Sequence, residues 1–332
     1  MRAAVIDKFN EPWLVRDVPD PRPGPGQVVI KVHASGMCYT DLHAHHGVFP
    51  LKPPFVAGHE PAGVIVEVGP GVTDLRVGDR VGVFWNQKGC GRCPVCQAGK
   101  PGSCPDAQTW MHLGGSNSEL MLAWASGCAL IPDGASFEAA APIFCAGYTT
   151  MSGLRNADPR PGERVAILGV GGLGHLALQF ARALGLETVA LTGQANKQKE
   201  LTALGADAVL IAGDDPGKAL RDAGGADIVL STTNSARQVA SAFTGLRPGG
   251  RLINMGLPDG PIAIEPFALM MGQRQLRGST QDERSDLFEA LQLVASGKVK
   301  PVIETYPLAR INDARERLET GKVRYRAVVQ HG

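Results

Sequence analysis

The stretch that most constrains this chain runs from Glu163 to Gln194, ERVAILGVGGLGHLALQFARALGLETVALTGQ. The apolar run Val165 to Leu168 reads as a buried strand. It enters the glycine loop Gly169-Val170-Gly171-Gly172-Leu173-Gly174, and apolar residues at helical spacing follow from Leu176 to Leu184. Gly185 closes that helix, and Thr188 to Leu191 make a second strand. A G-x-G-x-x-G string alone is weak, but between a strand and a helix it specifies a dinucleotide site. Gly169 permits the tight turn, Gly171 lets the backbone approach a pyrophosphate, and Gly174 lets helix and strand pack closely. The first-turn amides then face the phosphates with the positive end of the helix dipole.

Strand-like runs recur at 208–211, 228–231, 251–255 and 275–277, with helical segments between them. With the two strands already named they make six, the number of a complete doubly wound Rossmann sheet. Ahead of this α/β half, Arg2 to Ile6, Gln27 to Val32 and Ala62 to Val68 read as strands. Ser118 to Pro132 reads as extended, and Ser136 as the cap of a helix. Beyond Ser279 come a helix near 285–295, a short strand at 302–304, a helix near 312–319 and a terminal strand at 323–330. That tail is too strand-poor to stand alone and is expected to fold back onto the N-terminal half. The boundaries expected are 1–147, 148–279 and 280–332.

The chain of 332 residues, with 44% hydrophobic and 20% charged residues and a net charge of +1, has ordinary globular composition. No basic patch points to a nucleic-acid partner. The longest apolar run, Val165 to Leu178, is glycine-rich, carries His175 and is too short to span a bilayer. The start, MRAAVIDKF, has no signal-peptide hydrophobic region, so a cytoplasmic protein without membrane partners is expected. The seven cysteines are an odd number in a long chain, which favours metal ligation over disulfides.

Cys90-Gly-Arg-Cys93-Pro-Val-Cys96 and then Cys104 place four thiols in a short lobe, 86–105. Four thiolates complete a closed tetrahedral zinc site with no room for substrate, so the lobe reads as structural. Cys128 is left over as a packed, inert thiol. Elsewhere, Gly36-Met-Cys38-Tyr39-Thr40-Asp41-Leu-His43-Ala-His45-His46 is dense in polar and ligand-capable side chains, and Gly58-His59-Glu60 follows. Singly, Cys38 or His59 would read as a buried thiol or a satisfied histidine; together they suggest a site. Cys145 reads either as core or as a third ligand just before the nucleotide-binding half.

In combination these motifs resemble the medium-chain zinc-dependent alcohol dehydrogenases, cinnamyl-alcohol-dehydrogenase-like members included, over essentially the whole chain. Gly58-His59-Glu60-Pro-Ala-Gly63, with Gly69 and Val72, is similar to the family's zinc signature. The resemblance implies a GroES-like, mainly β catalytic domain beside the Rossmann domain and two zinc ions per chain. Cys38, His59 and Cys145 would hold the catalytic ion, and Cys90, Cys93, Cys96 and Cys104 the structural one. Glu60 would neighbour the catalytic metal, Asp41 would orient His59, and Thr40 and His43 would relay a proton to solvent. Cys145-Ala-Gly-x-Thr149 is similar to the segment supplying the last ligand. Gly321-Lys-Val-x-x-Arg326 resembles the end at which an arginine meets the cofactor phosphates. The activity implied is interconversion of an alcohol with its aldehyde or ketone, by hydride transfer to or from NAD(P). His45 and His46 read as solvated neighbours, not ligands.

Three departures from the pattern bear on specificity. The position where an acidic residue would bind the NAD ribose is Thr192, followed by Gly193 and Gln194, with Lys197 and Lys199 beyond; this favours NADP over NAD. Tyr39 stands where relatives often carry a basic residue near the pyrophosphate. The segments Asn86-Gln-Lys88 and Trp110 to Ser118 are unusual, which leaves the substrate open. Phe49, Trp85, Trp110 and the turn Met255-Gly-Leu257 are candidate walls of the substrate pocket, each with a plain core reading beside it; Met255 and Leu257 are also placed near the cofactor. Alternatives on the same scaffold are a polyol or sugar dehydrogenase and a non-catalytic zinc- and nucleotide-binding protein. A dimer or tetramer of identical chains is expected from the resemblance.

Overall fold

The computed structural model describes every residue except Asp282. It divides into two compact units, residues 1–145 with 294–296 and 301–332, and residues 146–293 with 297–300.

The chain opens with strands β1 (Arg2–Ile6), β2 (Leu14–Asp17) and β3 (Gln27–Met37), then helix α1 (Tyr39–His45), β4 (Phe55–Val56) and β5 (Glu60–Val68). After these come β6 (Arg80–Val83), β7 (Asn86–Lys88), β8 (Gln108–Thr109), β9 (Leu120–Trp124) and β10 (Cys128–Leu130). β3 is the spine, antiparallel to β5 along one edge and to β9 along the other. Lys31 is exposed and His33 half-buried between buried Ile30, Val32 and Ala34, the alternation of a strand covered on one face. The strand expected over 27–32 runs on to Met37, because Ser35 and Gly36 pair with Pro61 and Glu60 although neither carries a strand signal. Burial of Val28, Ile30, Val32, Ile65, Val81 and Met121 builds the core, each side chain contributing roughly 1.5–3 kcal/mol. The stretch 118–132 is not one extended segment. A short 3₁₀ turn at Ala125–Gly127 separates β9 from β10, and a Cβ on Gly127 would collide with Gln87. Ser136 does cap a turn of helix, its hydroxyl accepting from Ala139 N at 3.2 Å.

The second unit contains α2 (Ala146–Asn156), β11 (Arg164–Leu168), α3 (Gly174–Ala183), β12 (Glu187–Thr192), α4 (Gln198–Ala203) and β13 (Ala208–Ile211). It continues with α5 (Pro216–Asp222), β14 (Ala226–Ser231), α6 (Ala236–Thr244), β15 (Leu246–Asn254), α7 (Pro266–Met271), β16 (Gln275–Gly278) and α8 (Arg284–Ala295). All six strands run parallel in the order β13-β12-β11-β14-β15-β16. Val165 to Leu168 are buried without alternation, as strands covered on both faces must be. The order reverses between β11 and β14, the switch point outside whose carboxyl ends such sheets bind ligands.

The chain then closes with β17 (Ile303–Pro307), α9 (Ile311–Glu319) and β18 (Arg326–Gln330). β18 lies antiparallel to the end of β3 and parallel to β17, so the tail completes the sheet of the first unit. The terminal strand begins at Arg326 and not at Val323, because Tyr325 takes a φ of 68° and breaks the extended run. Among the described residues no helix is long and apolar enough to cross a membrane.

Candidate metal centres and nucleotide-binding loop

Cys38 follows β3 and caps α1. Its Sγ accepts from Thr40 N at 3.3 Å, while the Asp41 carboxylate accepts from Cys38 N at 2.9 Å. A thiol at a helix N-terminus, with an amide directed at it, is disposed toward the thiolate. A hydrogen bond from the Cys145 thiol holds Cys38 well below the usual thiol range, against burial and with help from His59 and Arg326. The two sulfurs lie 4.0 Å apart.

His59 follows Gly58, whose φ of 104° turns the chain into β5. The imidazole is 2% exposed, and its Nδ1 lies 3.6 Å from Asp41 Oδ1. Burial works against its cation, yet the negative charges of Asp41 and Cys38 raise its basicity well above normal. Trp85 meets the ring edge-on at 5.3 Å, and Trp110 lies roughly parallel to it at 6.3 Å. Neither of its ring nitrogens has a hydrogen-bond partner.

Ligand atoms of Cys38, His59, Glu60 and Cys145 all fall within 4.8 Å of one another. Two zinc–sulfur bonds of the usual length at a tetrahedral angle span about 3.8 Å between sulfurs. A sealed imidazole nitrogen without a partner, beside two thiols at that spacing, fits a zinc ion. Glu60 is fully buried, and burial pushes its carboxyl up to about 7 against the pull of Arg326.

The second cluster is Cys90, Cys93, Cys96 and Cys104, likewise within 4.8 Å. Cys90 and Cys96 stand 4.0 Å apart, and Cys93 and Cys104 stand 3.7 Å apart. Backbone amides of Cys90, Cys93 and Cys96 donate to Cys104, Cys90 and Cys93 sulfur at 3.3–3.5 Å. Amides from Arg92 and Cys93 bring the Cys90 thiol down to about 6. None of the seven cysteines is in a disulfide, and four thiols so arranged fit a closed zinc site.

Around the first cluster, Thr40 and His43 are half-buried. The His43 ring touches Tyr39 at 5.6 Å and Phe49 at 6.5 Å, and Phe49 meets Trp85 at 6.1 Å. Trp110 is only 2% exposed and belongs to the core, so of the expected pocket walls it is the one most withdrawn from solvent. Arg326, expected at the cofactor phosphates, is 3% exposed and donates to both carboxylate oxygens of Glu60. One expectation is corrected. His45, expected in solvent, is buried, because α9 and the loop carrying Trp13 cover it; His46 is exposed. Sequence reasoning also missed α1 as a helix, though Cys38 followed by Asp41 has the spacing of a capping box.

In the second unit the glycine loop joins β11 to α3. Gly169 takes a φ of 88°, and a Cβ on Gly174 would collide with Gly169 O. A Cβ on Gly171 would meet nothing, so that position is kept bare toward open space. Gly172 and Leu173 are half-buried. Thr232, after β14, ties the loop down with its hydroxyl on Gly169 O at 2.6 Å. At the end of β12, the Thr192 hydroxyl accepts from Gln194 N at 3.1 Å. Gly193 and Gln194 are exposed, and Lys197 is half-buried. Thr149 on α2 and Met255 are half-buried, Leu257 is exposed, and the Met255 sulfur packs where a side chain on Gly153 would stand.

A six-stranded Rossmann sheet in one unit, with a four-thiol cluster and a Cys–His–Cys cluster in the other, defines a zinc- and nucleotide-binding class. Residues 24–133 match the alcohol dehydrogenase GroES-like domain, and residues 172–296 match the zinc-binding dehydrogenase domain. An alcohol dehydrogenase of Geobacillus stearothermophilus is 42% identical over 99% of both chains. One from Moraxella sp. is 40% identical over 100% of this chain and 99% of its own. The cobalt- and zinc-bound thermostable alcohol dehydrogenase of Pyrobaculum aerophilum superposes with a TM-score of 0.89 at 30% identity, covering 100% of this chain and 99% of that one. The chain belongs to the medium-chain zinc-dependent alcohol dehydrogenase family.

Proposed function

We propose that this protein interconverts an alcohol and its aldehyde or ketone by hydride transfer with a nicotinamide cofactor, NADP in preference to NAD. The observation that carries the reading is the donor set of Cys38, His59 and Cys145, with His59 Nε2 buried and unpartnered. A zinc ion bound there supplies Lewis acidity to the substrate oxygen and eases loss of its proton near neutral pH. Asp41 Oδ1, 3.6 Å from His59 Nδ1, stands behind the ring where it can orient it. Glu60 keeps a carboxylate beside the ligands, held in place by Arg326. Thr40, the second residue of α1 and still half-buried, takes the proton released by the alcohol. His43, half-buried on the same helix, passes it to solvent. Cys90, Cys93, Cys96 and Cys104 contribute fold stability and no chemistry.

The glycine loop at the switch point supports dinucleotide binding, and Thr192 with Lys197 supports a 2′-phosphate. The aromatic chain from His59 through Trp85 and Phe49 to His43 favours an apolar or aromatic substrate over a polyol, which needs hydrogen-bonding walls. The same reading includes assembly of identical chains. β16 is an unpaired sheet edge, and Phe267, Met270 and Met271 on the preceding helix are each more than 60% exposed. The test is a panel of aliphatic, aromatic and sugar carbonyls, each assayed with NADPH and NADH. Turnover of aromatic aldehydes with NADPH leading is expected. Activity confined to sugars would establish the polyol alternative, and no turnover with any partner would leave a binding protein.

A further inference from the structure

α1 carries Thr40, Asp41 and His43 and is capped by Cys38, yet it has only seven residues. A helix that short does not hold its shape unaided, so whatever seats it also sets the geometry of those groups. Its N-terminal end is tied by the Cys38–Asp41 capping bonds. Its C-terminal end is tied through His45, which is 2% exposed.

The Trp13 indole donates to His45 Nδ1 at 3.1 Å, and Arg315 Nη1 on α9 lies 3.4 Å from Nε2. Arg315 is itself nearly buried and donates to Glu319 at 2.9 Å; Glu319 meets His46 Nε2 at 3.1 Å. Asn10 N donates to His45 O at 3.0 Å, and the Asn10 side chain meets His46 Nδ1 at 2.6 Å. Asn312 brackets the Trp13 backbone with two bonds of 2.9 Å. α1 is thus clamped both to α9 and to the loop between β1 and β2.

Both ring nitrogens of His45 face donors and neither faces an acceptor. A neutral imidazole offers one lone pair, which Trp13 uses; a second ring proton would set N–H against N–H on both sides. Burial, the Arg315 charge and His46 all oppose the cation, with only Glu319 favouring it, and the ring is held below its normal basicity. His45 lies four residues from Asp41, directly above it on the helix, so movement at one end is transmitted to the carboxylate that holds Cys38 N and faces His59.

We infer that His45 is a positioning residue for the reaction: bonded to the Trp13 indole and packed beneath Arg315 of α9, it seats α1 and so aims His43 and keeps Cys38 in the metal site. The inference rests on the function proposed above, but its main readout does not need turnover. The zinc-loaded protein is treated with a chromogenic chelator at a series of pH values, for wild type, His45→Gln, His45→Leu and Trp13→Phe. The four-thiol site acts as internal control, because only the release phase of the Cys38–His59–Cys145 site should respond. We expect about tenfold faster release in that phase for His45→Leu and an intermediate increase for Trp13→Phe. His45→Gln, which keeps an acceptor but cannot titrate, should release near the wild-type rate at pH 8 and lose part of the acceleration the wild type shows below pH 6.5. Where turnover is measurable, kcat should fall in His45→Leu while the affinity for reduced cofactor, read by fluorescence, stays within twofold. Should His45→Leu fail to fold, the glutamine and Trp13 variants decide the question. Unchanged release rates and pH dependence, even with a lowered Tm, would reduce His45 to a packing residue and overturn the inference. Absence of turnover in the wild type would count against the reaction and not against the clamp.

Discussion

Arg326, the first residue of β18, grips both carboxylate oxygens of Glu60, the first residue of β5, across 266 positions of sequence. Both side chains are sealed, at 3% and 0% exposure, so neither charge has water to fall back on. Removing one partner leaves the other uncompensated, at a cost of about 3–5 kcal/mol, whereas removing both is far milder. Arg326→Met and Glu60→Gln should therefore each destabilise the chain by several kcal/mol, and the double variant by clearly less than their sum. Urea unfolding of the four proteins as a double-mutant cycle measures this. Additive costs would mean the pair is not coupled.

The two cysteine clusters should respond differently to the same change. Cys145→Ala removes one donor from a cluster that the surrounding strands hold in place, so the protein should stay folded while losing about half its zinc and its turnover. Cys93→Ala opens the four-thiol lobe, which has no helix longer than four residues and whose first three cysteines are half-exposed. Metal there supplies folding energy directly, so this variant should lose zinc together with stability. Metal analysis and thermal unfolding of both variants provide the check.

The Rossmann half was legible because its signals are local. An apolar run, a glycine loop and a helical period occur within one stretch of chain, and each glycine role is visible in backbone terms, at Gly169 as a positive φ and at Gly174 as a close approach. The donor sets were legible as well, since thiols and imidazoles at such spacings have few other uses. What escaped was everything settled by partners distant in sequence. β3 runs past Val32 only because β5 and β18 offer it edges. Arg326 is a counter-ion for Glu60, a pairing no local pattern carries. His45 looked solvated because its polar neighbours suggested a surface, until α9 arrived to bury it.

His331, next to the last residue, gives the fold an acid-sensitive point in a different place. It is 6% exposed, and neither ring nitrogen has a hydrogen-bond partner. Burial, with a smaller effect from His33, pushes its pKa down to about 4. Because the folded value lies below the unfolded one near 6.5, the neutral ring's contribution is complete above pH 6.5. It is lost as the pH falls from there toward 4. The shift corresponds to at most about 3 kcal/mol, and less if the chain end swings out to hydrate the ring. His331→Leu should flatten this part of the profile, read as the difference between wild type and variant in urea unfolding at pH 7 and pH 5. Parallel profiles would show that His331 does not titrate in this range.

The proposed preference for NADP turns on Thr192, the last residue of β12. A carboxylate there would accept hydrogen bonds from both adenosine-ribose hydroxyls and repel a 2′-phosphate. In its place the threonine hydroxyl accepts from Gln194 N and keeps its own hydrogen to donate, and Gly193 leaves the adjoining position open, with nothing near its absent Cβ. Lys199 is exposed nearby, and half-buried Lys197 supplies a second positive charge without the bidentate geometry of arginine. Attraction from point charges on long side chains is modest, so the proposed preference would come mainly from the missing repulsion. On that argument kcat/KM with NADPH should exceed that with NADH on one aldehyde by roughly tenfold, about 1.4 kcal/mol. Thr192→Asp should erase or reverse the ratio by weakening NADPH, with a smaller gain for NADH, whereas Lys197→Ala should narrow it only partly. A wild type that prefers NADH would refute the assignment, and a ratio unmoved by the aspartate would place the discriminating contact elsewhere in the loop.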